Sequence, residues 1–163
     1  MAEWIRLIDE IAQVLQQLID LAKEKREVIV KGDVERLEAL TRAETGLSAQ
    51  LGNLETQRQR AVVVHCLRAG MDTTQITLAQ LLPTLPDGEE RRALEAARED
   101  LIEKTHTLMQ LGDINEELLT TQTEITQYMI EGASHYTAVG TQYAQNGQDA
   151  EQHDQIRLLS TDI

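Results

Sequence analysis

The chain predicts an all-α fold, an elongated antiparallel helical bundle with three long helices, one short connecting helix and a mobile C-terminal tail. A seam spaced by three and four residues runs through Leu94, Ala97, Leu101, Leu108, Leu111, Asn115, Leu118, Gln122, Ile125 and Met129, the period of one helix face. The residues that sheets and pockets favour are scarce: no Phe, one Trp, three Tyr and two Pro in 163 residues. A chain of this length supports one domain with one core.

The first helix is expected from about Trp4 to Lys31. Ile8, Ile11, Leu15, Leu18 and Ala22 mark its apolar face, and Leu7, Val14, Leu21 and Val28 widen it. Gly32-Asp33 closes it, because Gly suits the left-handed position after a helix and Asp can cap the next one. The second helix, from about Val34 to Ala69, carries Leu37, Leu40, Leu47, Leu51 and Leu54 until Gly70 stops it. So short a connection predicts an antiparallel hairpin.

Between Met71 and Gly88 the periodicity breaks. Thr77 followed by Gln80 has the spacing of a capping box and predicts a turn or two of helix over Leu78 to Leu82, before Pro83 and Pro86. Asp87 followed by Glu90 has the same spacing and predicts the start of the last helix, from about Gly88 to about Ser134. At 1.5 Å per residue the three long rods measure about 42, 54 and 70 Å in chain order. The longest should therefore outrun the others and expose Leu118, Leu119, Ile125 and Met129 at its far end. Residues 1–140 are read as the helical domain. Residues 141–163 are a polar, flexible tail whose apolar anchors are Ile156, Leu158 and Leu159.

The net charge of −13 is unevenly placed. Residues 1–70 hold ten Lys and Arg against eleven Asp and Glu, residues 71–163 five against seventeen, and no Lys or Arg lies between Thr105 and Ile156. A phosphate backbone or an anionic lipid surface needs a basic footprint, so nucleic acid is not an expected partner of the C-terminal half. That acidic face reads as a solubility device or as a docking surface for a basic partner. No run approaches the roughly 20 apolar residues of a membrane span, the N-terminus does not read as a signal peptide, and Cys66 stands alone. These features fit a cytoplasmic protein without an integral membrane segment.

Catalysis is not expected. Glu103-x-x-His106 has the spacing used in di-iron bundles, but such a site needs a second copy of the motif and two further inward carboxylates. His65 and Cys66 are adjacent and would point about 100° apart on a helix. Gly-rich phosphate loops and nucleophile elbows are missing, so no cofactor and no metal site is assigned.

Several pieces in order resemble the FlgN family of flagellar type III export chaperones: Lys31-Gly32-Asp33 leading into Leu37 and Leu40, then Ile76-Thr-Leu-Ala-Gln-Leu-Leu82, then Asn115-Glu-Glu-Leu118-Leu119, and finally Tyr136-x-x-x-Gly140. Gly112 stands where the family usually has a second Asn, and Thr-Ala-Val follows Tyr136 in place of the usual turn formers. The resemblance implies a chaperone that binds the amphipathic terminal segments of hook-filament junction proteins, prevents their aggregation or early assembly, and delivers them to the cytoplasmic domain of the export gate. Client binding is expected at Leu108, Leu111, Asn115, Leu118, Leu119, Gln122, Ile125 and Met129, in the helix-in-groove mode. Gate docking is expected at Tyr136 and Gly140.

For single residues a structural reading stands beside the functional one. Asn115 can fix the register of the seam, Tyr136 can cover a helix terminus, and Trp4 is expected to anchor packing at the bundle end. The competing reading of the whole chain is a structural coiled-coil or homodimeric helical scaffold without an export client, its long helix buried in its own dimer. Polar Asn115 and Gln122 and the cationic Lys104 on the seam weigh against that drier interface.

Overall fold

A computed structural model of the chain describes residues 3–71 and 76–134. Among them are four α-helices and no strand: α1 Glu3–Lys31, α2 Val34–Arg68, the short α3 Leu78–Leu81 running into a 3-10 turn over Leu82–Thr84, and α4 Glu89–Ser134. The expected order and type of every element hold, with ends within one or two residues. Tyr136, Gly140, the boundary at residue 140 and the tail with Ile156, Leu158 and Leu159 lie outside the described residues.

The chain stops are made by the residues expected to make them. Gly32 and Gly70 take φ of 71° and 73°. After α1 the Asp33 N–H donates to the Val28 carbonyl at 3.2 Å, and after α2 the Met71 N–H donates to the Cys66 carbonyl at 2.9 Å, so both helices close in Schellman motifs. The Asp33 carboxylate then accepts from the Arg36 N–H at 3.0 Å and starts α2. Thr77 and Gln80 form the reciprocal capping box of α3. The second expected box does not form. Because α4 begins at Glu89, Gly88 stands at its cap, and Asp87, one residue too early, gives its carboxylate to Arg91 at 2.6 Å instead.

α1 is the central rod. Both of the extensive helix packings are its own, with α2 on one side and α4 on the other. This explains its wide apolar surface: Leu7 and Val14 are as buried as Ile8, Ile11, Leu15 and Leu18. Its partners bury only narrow stripes. In α2 the stripe runs Leu37, Leu40, Glu44, Ser48, Leu51, Leu54, Arg58, Val62 and Cys66, and in α4 it runs Leu94, Leu101, Thr105, Leu108, Leu111 and Asn115. The main core lies toward the Trp4 end, where Leu78, Leu81 and Leu85 of the connection close it. A smaller cluster of Val28, Ile29, Leu37 and Leu40 fills the hairpin end.

Charged groups inside the seams are paired. Lys25 of α1 donates to Glu44 of α2 at 2.8 Å, with both residues buried. Within α2, the buried Arg58 donates from Nε to Glu55 at 2.7 Å, and a second guanidinium nitrogen reaches the other carboxylate oxygen. The Lys25–Glu44 pair joins α1 to α2 and so helps to fix which faces meet, since a lone charge on either side would be costly.

Candidate functional site

The position of α4 on α1 decides what its far end can do. Asn115 donates from Nδ2 to the Ala22 carbonyl at 2.9 Å, and Leu118 and Leu119 pack on the cluster containing Val28 and Ile29. The two helices therefore run parallel, with α4 residues opposite α1 residues numbered about ninety lower. On that register Lys31, the last residue of α1, lies beside Glu124, and the remaining turns of α4 project roughly 15 Å past the hairpin.

The seam residues consequently divide into three groups. Leu108, Leu111 and Asn115 are buried against α1, 3%, 8% and 6% exposed. Leu118, Leu119 and Gln122 are half-buried along the edge of the hairpin cluster. Ile125 and Met129 are exposed, at 46% and 67%. The expected open stripe is thus shorter than its sequence suggests. Leu118 and Leu119 are partly covered because α4 begins about two turns before the level of Trp4, which brings them level with the hairpin.

Tyr128 and Ile130, which the seam pattern omits, join Ile125 and Met129 and make the tip apolar over most of its circumference. Four large exposed apolar side chains within six residues are more than the single scattered ones that need no explanation, and they mark the tip as a candidate interaction site. The surrounding charge is negative, from Glu124 and Glu131, with no Lys or Arg on α4 after Lys104.

Asn115 serves the register of the bundle through its amide nitrogen, while its Oδ1 is buried without a hydrogen-bond partner. Trp4 is a packing residue, 2% exposed, with its ring edge-on to His65 at a centroid distance of 5.8 Å.

A second feature was not anticipated. Between the first turns of α1 and the last turns of α2 lies a notch of about 410 Å³ lined by Glu3, Trp4, Leu7, Gln57, Arg60, Ala61, Val64, His65 and Arg68. The sequence does hold its signal: Arg60, Val64, Leu67 and Arg68 fall at i, i+4, i+7 and i+8, one helix face, and all four are exposed.

Glu103 and His106 lie on the solvent side of α4 and Cys66 is fully buried. No group of three or more His, Cys, Asp or Glu side chains that could hold a metal forms among the described residues. No helix among them is long and apolar enough to cross a membrane.

Neither the curated proteins nor the solved structures gave a match. The family model described as "FlgN protein" matches residues 1–151, a span that takes in every helix described above. The chain belongs to the FlgN family, whose role in general terms is that of flagellar export chaperones.

Proposed function

We propose that this protein binds the amphipathic terminal segments of hook-filament junction proteins on α4, keeps them from aggregating or assembling early, and carries them through the cytoplasm to the cytoplasmic domain of the export gate. The observation that supports this reading most is the projecting tip of α4, an apolar helix end left uncovered in a family of export chaperones. A client segment laid along it as a further helix would touch Met129 and Ile125 first, then Gln122, Leu119 and Leu118 where they are half-buried. Leu108, Leu111 and Asn115 would join the contact only where α4 parts from α1. Met129 is suited to a surface that must accept more than one side-chain pattern.

Gate docking is proposed for Tyr136 and Gly140, which follow the tip in sequence. A surface there would stay available while the client occupies α4. Because a terminal segment folds as it binds, ordering consumes part of the contact energy, and release needs no nucleotide.

The test uses Ile125→Asp with Met129→Asp in the full chain. Both side chains are exposed, so circular dichroism should show an unchanged bundle, while capture of a junction-protein terminal segment should be lost. Full binding by the folded double variant would move the client site off the tip. The scaffold reading predicts instead a dimer that buries residues 108 to 129 at every concentration, which light scattering detects.

A further inference from the structure

The two ends of the molecule carry opposite chemistry. At the notch, Arg60 and Arg68 are exposed and form no ion pair among the described residues, with His65 half-buried between them and Glu3 the one carboxylate on the rim. Val64 and Leu67 beside them are 45% and 61% exposed. This is an apolar patch framed by guanidinium groups, in a chain whose net charge is −13. The tip of α4 is its counterpart, with apolar Ile125 and Met129 beside the carboxylates of Glu124 and Glu131, the latter also accepting from Gln127.

We propose that the notch receives the α4 tip of a second copy of this chain, in a two-fold, antiparallel dimer. On the α1–α4 register Trp4 lies level with residue 97 of α4, so notch and tip are separated by roughly 45 Å along the bundle. A two-fold axis across the bundle midway between them sets each tip on the other copy's notch. Both contacts then form at once and the assembly closes at two, whereas a single tip-to-notch contact would propagate as a filament. In each contact Glu124 and Glu131 face Arg60 and Arg68, and Ile125 and Met129 cover Val64 and Leu67. Such a dimer hides the sticky tip of the resting protein by its own surface. The proposal does not depend on what else binds the tip.

Sedimentation velocity of the full chain over a range of concentrations, in about 0.02 M and about 0.5 M NaCl, reads the association directly, because exposed charges are screened at the higher salt. The expected result is a dimer at low salt that dissociates at high salt. Arg60→Glu with Arg68→Glu should weaken it about thirtyfold, since each exposed attraction becomes a repulsion and the dimer holds two such contacts. Glu124→Arg with Glu131→Arg should do the same. The four substitutions together should recover dimerisation, a result that misfolding cannot imitate. A monomer at every concentration, a dimer indifferent to the reversals, or failure of the combined variant to recover would each overturn the proposal.

Discussion

Replacing Asn115 by Leu should stabilise the protein, although it removes the hydrogen bond that fixes α4 on α1. The two side chains share one branched skeleton, so the substitution neither opens a cavity nor overpacks the seam. Three effects compete. Loss of the 2.9 Å bond to the Ala22 carbonyl costs about 1 kcal/mol, and that carbonyl stays satisfied within α1. Removal of the buried, unpartnered Oδ1 returns about 1–3 kcal/mol. An apolar group in a site only 6% exposed adds part of the 1.5–3 kcal/mol typical of a buried Leu. The net expectation is a gain of about 2 kcal/mol, or about 4–8 °C in Tm for a chain of this size. Guanidinium denaturation followed by far-UV circular dichroism measures it. Asn115→Asp keeps the skeleton but sets a carboxylate against the Ala22 carbonyl, and should lose several kcal/mol at neutral pH. A Leu variant destabilised by 1 kcal/mol or more would refute the reasoning and show that the register bond outweighs the unpaired acceptor.

Breaking the enclosed pair by Lys25→Met should cost about 3–5 kcal/mol in the same denaturation experiment, and Lys25→Met with Glu44→Leu should recover most of the loss. Gly46→Ala, in the middle of α2 with nothing within 4 Å of the added carbon, should raise stability by about 0.5–1 kcal/mol. Leu101→Ala, at a position 1% exposed between α4 and α1, should lower it by about 2–5 kcal/mol. Tyr136→Ala should leave client affinity within about threefold, roughly 0.7 kcal/mol, while weakening association of the loaded complex with the purified gate domain. Equal gate affinity in that titration would return Tyr136 to a structural role.

Elements that depend on neighbours in sequence were legible. The Gly32 and Gly70 stops, the Asp33 cap and the Thr77–Gln80 box need only a few adjacent residues, and all of them form. The Asp87–Glu90 box shows the limit, because the helix starts one residue later, with Gly88 at the cap, and Arg91 takes the Asp87 carboxylate. Features set by the placement of one rod on another were not legible. Nothing in the periodicity of α4 says that Leu118 sits level with Val28 while Ile125 sits past the hairpin, since every turn of the seam looks alike. The register shows only in contacts between residues far apart in the chain, such as the hydrogen bond from Asn115 to Ala22. The notch was missed for a related reason. Its residues come from the first turns of α1 and the last turns of α2, far apart in sequence, and Arg60 and Arg68 taken alone read as ordinary solvated charges.

The projecting tip has a consequence for timing. Beyond Glu124 the helix has no hairpin beside it, so its order rests on local preference, and its sequence is poor in that respect: Ile125, Thr126 and Ile130 are β-branched, and Gly132 falls within the final turn. A partner that grips this end must hold the helix together as well as touch it, and part of its grip is spent on that work. Affinity at the tip is thereby capped by the backbone itself, whatever side chains the partner brings. Under the proposed function, in which the client is handed over, a helix end with so little local preference of its own should shorten the lifetime of every contact made there.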